Sequence, residues 1–221
     1  MAPRRERITM KTAIIGLGNI GRQVALNLMA GDQEVIVADR GLTKAEALAR
    51  ESGGKARARS VAAAIGEADI IVFAVYFDAI KELLTENRNK LAGKIVVDPS
   101  NPIAPDGSGG FKKLIPADQS SGQILASLLP PGAKFVKAFG TLLAPSLKTG
   151  VRRSPDPNVL FYASDDPGAG DAVAELIRAS GFAPVRIGGI DRAIRIEVGG
   201  DLHEAGKLGR LVTATEAGAL V

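Results

Sequence analysis

The sequence contains no cysteine and no tryptophan, and it has only one histidine among 221 residues. The absence of cysteine excludes disulfides, thiol catalysis and thiolate metal sites. With seven Phe and two Tyr, aromatic side chains are too scarce for a base-stacking platform. No apolar run reaches the roughly 18 to 20 residues that cross a bilayer. We therefore expect no metal site, no nucleic-acid partner and no membrane span.

Charge is almost balanced once a basic stretch at the start is set apart. The net charge is +4, and the three arginines and one glutamate of residues 4–7 contribute +2 of it. The stretch Met1 to Met10 lacks the apolar segment of a signal peptide. We expect residues 1–10 to form a flexible basic leader on a cytoplasmic protein.

The most informative motif is Gly16-Leu17-Gly18-Asn19-Ile20-Gly21, which follows the apolar run Ala13-Ile14-Ile15 and precedes a helix-like stretch. Gly16 permits a tight strand-to-helix turn, Gly18 lets the backbone approach a pyrophosphate, and Gly21 lets the helix pack closely on the strand. The N–H groups and positive end of that helix face the phosphates. The motif predicts a dinucleotide site; the alternative is a structural turn that binds nothing.

A second apolar strand, from Glu34 to Ala38, ends at Asp39-Arg40. This lies about 20 residues beyond the glycine turn, where Rossmann folds place the residue that contacts the ribose. Asp39 favours the ribose diol of NAD, whereas Arg40 and Lys44 favour the 2′-phosphate of NADP. We expect NADP, with NAD as the alternative because of Asp39.

Strand-like and helix-like segments alternate along the chain, which predicts an α/β protein with a Rossmann-type doubly wound parallel sheet. We expect this domain to span residues 11–145. Residues 146–221 are expected to form a small C-terminal α/β extension that serves substrate binding or dimerisation, and the protein is expected to be a homodimer.

Three local expectations accompany this assignment. Thr43 is expected to cap the second helix, because a threonine hydroxyl can accept a hydrogen bond from the first turn. The stretch from Ile103 to Lys113 is rich in Pro and Gly and predicts a long loop. Leu143 to Asn158 is expected to be a linker or an active-site loop for the same reason.

In open α/β sheets, ligands bind outside the carboxyl ends of the strands. The segments at those ends are Gly16 to Gly21, Asp39-Arg40, Tyr76-Phe77, Asp98 to Pro102, and Phe139 to Thr141. The first two are expected to bind the adenosine half of the dinucleotide. The other three are expected to surround the nicotinamide and the group that reacts with it.

These segments resemble the small NADP oxidoreductases that exchange hydride with the deazaflavin coenzyme F420, and the related oxidoreductase domain of the metal-reducing Steap proteins. The resemblance rests on Ile14 to Gly21, Asp39-Arg40 with Lys44, Ala74 to Ala79, Val97 to Pro102, and Val136 to Thr141. It implies that Asn19 and Ile20 cover the pyrophosphate. It also implies that Arg40 and Lys44 hold the 2′-phosphate and that Val75 and Tyr76 lie along the nicotinamide.

Two positions near the reacting groups depart from the family's usual pattern: Tyr76 replaces a common proline, and Gly140 replaces a common His or Asn before Thr141.

The candidate cofactor-binding residues are Gly16, Leu17, Gly18, Asn19, Ile20, Gly21, Asp39, Arg40, Lys44, Ala74, Val75, Tyr76, Ser100 and Asn101.

The sequence shows no evident acid–base pair. Alcohol dehydrogenases usually need a general base, but the sole histidine, His203, is expected to be a surface or helix-end imidazole. Lys137 is expected to be solvated at a strand end, with a role as acid or base as the alternative. Arg152-Arg153 is expected to be a solvated basic pair, with an acidic coenzyme tail as the alternative ligand.

Hydride transfer between two ring cofactors needs aligned stacking and a dry site rather than an acid–base pair. The first hypothesis is therefore an oxidoreductase that exchanges hydride between NADP(H) and F420 or a flavin-like acceptor. No catalytic residue is assigned, and Tyr76, Phe77 and Thr141 are the candidates that position the acceptor, together with Ser100 and Asn101. The alternatives are an NAD(P)H-dependent reductase of a small carbonyl or imine, and a redox sensor that binds NAD(P) without turnover.

Overall fold

The computed structural model describes residues 10–108 and 111–221, so residues 1–9 of the expected basic leader lie outside the described residues. The strands are β1 Thr12–Ile15, β2 Val35–Ala38, β3 Ala56–Ala58, β4 Ile70–Phe73, β5 Ile95–Asp98, β6 Ile103–Pro105, β7 Phe111–Lys113, β8 Lys134–Lys137, β9 Val159–Tyr162 and β10 Ala183–Arg186. The α-helices are α1 Asn19–Ala30, α2 Leu42–Glu51, α3 Val61–Glu67, α4 Phe77–Glu86, α5 Ser121–Ser127, α6 Ala144–Thr149, α7 Pro167–Ala179 and α8 Ala214–Ala217. Short 3₁₀ helices cover Arg88–Lys90 and Ile190–Ile196.

The central sheet has six strands in the order β3-β2-β1-β4-β5-β8, and every pairing in it is parallel. The strand order reverses between β1 and β4. In doubly wound sheets, ligands bind in the crevice that forms at such a reversal. The predicted Rossmann-type fold class is therefore confirmed.

Apolar side chains cover both faces of the sheet, because a parallel sheet with helices on both sides is buried on both faces. Successive residues of the inner strands alternate between two cores. Ile14, Val37 and Val72 belong to one core, and Ile15, Ile36 and Ile71 belong to the other.

The region 146–221 packs into the same two cores through β9. Leu160 lies in one core, and Phe161 lies in the other. One antiparallel bridge joins β9 to the central sheet: Lys137 and Ala163 exchange two backbone hydrogen bonds of 2.9 and 3.0 Å. β9 and β10 form a separate two-stranded parallel sheet, which this bridge links to β8.

The structure corrects the three local expectations. Thr43 does not cap α2, since that helix begins one residue earlier, with the extended Gly41 at the cap position. The predicted loop from Ile103 to Lys113 contains the antiparallel strands β6 and β7. The predicted linker from Leu143 to Asn158 contains α6, whose early proline suits a first helical turn. Within the described residues, no helix is long and apolar enough to span a membrane.

Arg152 is not a freely solvated residue, as the sequence analysis expected. Its guanidinium donates hydrogen bonds to the carbonyl oxygens of Asn27 (3.0 Å), Ala179 (3.2 Å) and Ser180 (3.0 Å). These bonds tie α1 to the end of α7, where helix carbonyls lack partners in their own helix. The role of Arg152 in the structure is therefore to join two helices.

We predict that Arg152→Met lowers the free energy of unfolding by about 1–2 kcal/mol, because three carbonyl oxygens lose a charged donor. Thermal unfolding measures the effect, and the melting temperature is expected to fall by about 2–8 °C. Arg153→Met is the matched control and should leave the melting temperature within error. Equal effects of the two substitutions would contradict the role assigned to Arg152.

Candidate dinucleotide and acceptor site

Two of the three motif glycines are required by close packing. Gly16 has φ +93°, and a Cβ placed on it would lie 2.4 Å from the carbonyl oxygen of Ala74. A Cβ on Gly21 would lie 1.9 Å from the carbonyl oxygen of Gly16 and 2.8 Å from the Cβ of Ala74. Only glycine fits at either position, because β1, β4 and α1 pack closely where the strand order of the sheet reverses.

Gly18 differs because it is exposed, and a Cβ on it would meet none of the described atoms within 4 Å. It stands at the start of α1, where no described side chain caps the helix and the first turn carries no acid. Asn19 is also exposed, Ile20 is half-buried, and Leu17 is buried beneath them. A cradle with open space and a positive helix end is the arrangement that a pyrophosphate needs, so these residues fit a dinucleotide.

The carboxylate of Asp39 lies beside this turn. It accepts a hydrogen bond from the backbone N–H of Leu17 at 3.3 Å and one from the N–H of Arg40 at 2.7 Å. The ammonium of Lys44 lies 3.6 Å from it. Arg40 and Lys44 are both exposed, so Lys44 and the neighbouring residue in the chain, Arg40, supply positive charge next to the acid at the predicted ribose position.

A cleft of about 250 Å³ lies next to these residues, between α1 and α2. It is lined by Leu17, Arg22, Lys44, Ala47, Leu48 and Glu51. Arg22, which the sequence analysis did not single out, forms an ion pair of 2.9 Å with Glu51 at its wall. A larger cleft, of about 650 Å³, includes Lys134 and Gly132 at the amino end of β8, the end of the sheet where doubly wound folds do not bind ligands.

The segment after β4 borders the glycine turn. Val75 Cγ1 would lie 2.5 Å from a Cβ on Gly16, and Ala74 packs against Gly21. Tyr76 is 84% exposed, so its ring is available to a ligand. Phe77 is buried in the core, with the Lys81 ammonium 5.4 Å from its ring centre. Phe77 therefore anchors α4 beneath Tyr76 and does not present its ring to the surface.

The loops after β5 and β8 are joined. The side-chain N–H of Asn101 donates to the carbonyl oxygen of Gly140 at 3.1 Å, and its side-chain oxygen accepts from Val198 N–H at 2.7 Å. A Cβ on Gly140 would lie 2.6 Å from the carbonyl oxygen of Pro99, which explains why glycine stands there. The preceding Phe139 is buried with φ +64°, a strained backbone for an aromatic residue.

Two candidate site residues in these loops have buried hydroxyls that lack partners. Ser100 and Thr141 are 9% and 2% exposed. Within residues 10–108 and 111–221, neither Ser100 Oγ nor Thr141 Oγ1 has a hydrogen-bond partner. Buried polar atoms are nearly always paired in proteins, so an unpaired hydroxyl calls for an explanation.

The expectation that Lys137 is solvated is wrong. Its side chain is 2% exposed, and its ammonium forms a 2.6 Å ion pair with Asp98, which is fully buried. The ammonium also donates to the carbonyl oxygen of Ser100 and to Ser121 Oγ. β5 and β8 are neighbours in the sheet, so Asp98 and Lys137 are opposite each other at their carboxyl ends.

A second buried carboxylate, Glu197, completes this cluster. It accepts hydrogen bonds from Ser120 Oγ (2.7 Å), Ser121 N–H (3.1 Å) and Gly122 N–H (2.9 Å). Burial acts to raise the pKa of Glu197, but the charge of Lys137 and these hydrogen bonds outweigh it and lower that pKa below its ordinary value. Glu197 is therefore ionised and fixes the start of α5.

The expectation that His203 lies at the surface is also wrong, since it is 1% exposed. Its Nδ1 accepts the N–H of Ala205 at 2.8 Å, so its Nε2 carries the proton and donates to the carbonyl oxygen of Gly140 at 3.0 Å. Burial lowers the pKa of His203, and the bond to Gly140 and the charge of Glu204 only partly oppose this. His203 is therefore neutral and supports the loop after β8.

Sequence reasoning missed Glu197, Val198 and Glu204, which hold the same loops. The Glu204 carboxylate accepts from Leu143 N–H at 2.7 Å and from Ser146 Oγ. No motif marks these tail residues, because their partners lie many residues away in the chain. The Asp98–Lys137 pair did leave a signal: opposite charges end two predicted apolar strands.

The fold and the glycine turn together define a Rossmann-type dinucleotide-binding protein. Residues 11–102 match the family described as NADP oxidoreductase, coenzyme F420-dependent. The F420-dependent NADP reductase of Methanothermobacter marburgensis is 28% identical over 199 residues, covering 85% of this chain and 88% of that protein. A hypothetical protein from Sinorhizobium meliloti has a solved structure that is 32% identical, with a TM-score of 0.81, covering 92% of this chain and 95% of that one.

The metalloreductase STEAP3 of Rattus norvegicus is 30% identical over 188 residues, or 85% of this chain, but the match spans only 36% of that protein. Residues 11–102 of this chain thus resemble the F420-dependent NADP oxidoreductase family, and these similarities support an NADP-dependent oxidoreductase. The family resemblance inferred from the motifs is thus confirmed.

We predict that His203 makes the folded protein less stable in mild acid. Its pKa is lowered on folding, so below the ordinary value of 6.5 the unfolded chain binds a proton that the folded chain does not. The contribution of His203 to the free energy of unfolding is fully present above that pH, and it is lost as the pH falls through the lowered pKa of the folded protein.

Melting temperatures across this pH range measure the effect, with His203→Gln as the comparison because glutamine keeps a donor and an acceptor without titrating. The wild type should lose stability more steeply than the variant. Glu197 does not interfere, since its pKa is lowered from 4.5. Parallel profiles would show that His203 titrates normally in the folded protein.

Proposed function

We propose that this protein binds NADP(H) at the glycine turn and exchanges hydride with the deazaflavin F420 or a flavin-like acceptor. The observation that carries the proposal is the open space at Gly18 in front of the uncapped start of α1. The similarity to an F420-dependent NADP reductase over 85% of the chain supports the choice of acceptor.

The adenosine half of NADP(H) would lie along Asp39, Arg40 and Lys44. Arg40 and Lys44 suit the 2′-phosphate because they are exposed cations beside the position that contacts the ribose. Asp39 is already engaged with two backbone N–H groups, which reduces its repulsion of a phosphate. NAD remains the weaker ligand in this proposal.

The nicotinamide half would lie along Ala74, Val75 and Tyr76, and the acceptor would lie against Tyr76, Ser100 and Thr141. NADPH bound there would supply a hydride to the acceptor ring, and the ring would take a further proton from water, so that two electrons and two protons are accounted for. The ring of Tyr76 is exposed and can stack on a planar acceptor.

The structure offers little acid–base chemistry for a different reaction. Two of the three acid–base candidates from the sequence, Lys137 and His203, are buried and bonded to protein atoms, and the third, Tyr76, is exposed. The contacts of Lys137 and His203 suit a structural role, which favours catalysis by alignment of two rings. We also propose that residues 146–221 help to bind substrate or form a homodimer, and that the protein is cytoplasmic.

We predict that Arg40→Ala raises the Kd of NADPH about tenfold and leaves that of NADH nearly unchanged, since only NADPH carries the phosphate. Asp39→Asn should have the opposite effect and lower the Kd of NADPH, because it removes a negative charge while keeping an acceptor for Leu17 N–H. Fluorescence titration with both dinucleotides measures the effect. An equal rise in the Kd of NADPH and of NADH in Arg40→Ala would argue against a phosphate contact.

We predict that the purified protein oxidises NADPH in the presence of F420, or of FMN or FAD, as followed by the absorbance of NADPH. Tyr76→Phe should keep most of the activity, whereas Tyr76→Ala should raise the KM of the acceptor about tenfold, because only alanine removes the ring. Loss of all activity in Tyr76→Phe would instead indicate a proton donor and a carbonyl or imine substrate. Binding of NADPH without turnover of any acceptor would indicate a sensor.

A further inference from the structure

The backbone of Ser100 is held at both of its polar groups. Its N–H donates to Asp98 Oδ1 at 2.7 Å, and its carbonyl oxygen accepts from the Lys137 ammonium. Asp98 and Lys137 are themselves an ion pair buried between two strands. Ser100 is therefore fixed in place by charged groups, while its hydroxyl is left without a partner.

Thr141 shows the same combination. Its carbonyl oxygen accepts from Glu204 N–H at 3.0 Å, and the carbonyl of the preceding Gly140 accepts from Asn101 and His203. The Thr141 hydroxyl is nonetheless buried and unpaired. A fixed backbone and an unsatisfied hydroxyl thus occur twice, at the ends of two neighbouring strands.

The two hydroxyls belong to loops that touch. Pro99 contacts Gly140 so closely that no Cβ fits between them, and Asn101 bonds across to Gly140. Both loops follow the carboxyl ends of β5 and β8, on the side of β4 where the nicotinamide half is proposed to lie. The loops that carry Ser100 and Thr141 are therefore both placed to contact a ligand bound at this end of the sheet.

We propose that the hydroxyls of Ser100 and Thr141 form a receptor for a planar amide edge, a carbonyl next to an N–H group. Each hydroxyl can donate and accept, so the pair matches both groups of an amide. This edge is the carboxamide of the nicotinamide or the pyrimidinedione edge of the deazaflavin or flavin ring. The inference rests on the proposed function and assigns two specificity residues to it.

The test uses Ser100→Ala and Thr141→Val, which remove each hydroxyl with little change of shape. An unpaired buried hydroxyl destabilises the free protein, so each variant should melt at the same temperature as the wild type or about 2–4 °C higher without ligand. Each variant should also bind the amide-bearing ligand about tenfold more weakly, the loss expected for one hydrogen bond. Thr141→Ser keeps the hydroxyl and should restore binding.

The two sources of the amide give different results. A raised Kd for NADPH, with an unchanged Kd for 2′-phospho-ADP-ribose, which lacks the nicotinamide, supports the carboxamide. A raised KM for the acceptor with an unchanged Kd for NADPH supports the ring edge. Ser127→Ala, an exposed serine on α5, is the control and should change neither quantity.

A lower melting temperature with unchanged Kd and KM would overturn the inference, because it would show that the hydroxyls serve the fold. This outcome differs from failure of the proposed function. If the wild type itself fails to bind NADPH or NADH, the proposed function is wrong. If the wild type binds normally and both variants equal it, only the amide receptor is wrong.

Discussion

The buried ion pair between Asp98 and Lys137 is the interaction on which the two loops of the proposed acceptor site depend. It joins the carboxyl ends of β5 and β8 and fixes the backbone that leads into both site loops. Loss of one partner would leave an uncompensated buried charge, which costs about 3–5 kcal/mol in proteins. Lys137 faces two carboxylates, Asp98 and Glu197, and the extra negative charge is offset by N–H donors at the start of α5.

The C-terminal tail extends this arrangement to the loop after β8. Val198, His203 and Glu204 each bond to a residue in or next to the two site loops. The loop contains strained backbone at Phe139, and such a conformation persists only where the surroundings hold it. The tail supplies that support, so the chain segment around residues 197–204 is part of the site and not an appendage to it.

The packing of the glycine turn could be predicted from the sequence because its determinants are local. The glycines at 16, 18 and 21 lie within one turn. Gly16 and Gly21 pack as predicted, and the approach of a pyrophosphate at Gly18 stays a prediction. The acceptor half depends on contacts between distant residues, such as His203 with Gly140, which are 63 positions apart. A lone lysine at a strand end is usually solvated, so only its pairing with Asp98 could have revealed that Lys137 is buried.

The family match can be compared with the positions of these residues in the chain. Residues 11–102 contain the glycine turn, the ribose-contacting segment and the ion-pair partner Asp98, whereas Lys137, Thr141 and the supporting tail lie beyond them. The glycine turn thus lies within one stretch of chain, whereas the support of the proposed acceptor loops is divided between Asp98 in that stretch and Lys137 and the tail beyond it. A change in the tail can alter the loop that carries Thr141 without touching the packing of Gly16 and Gly21.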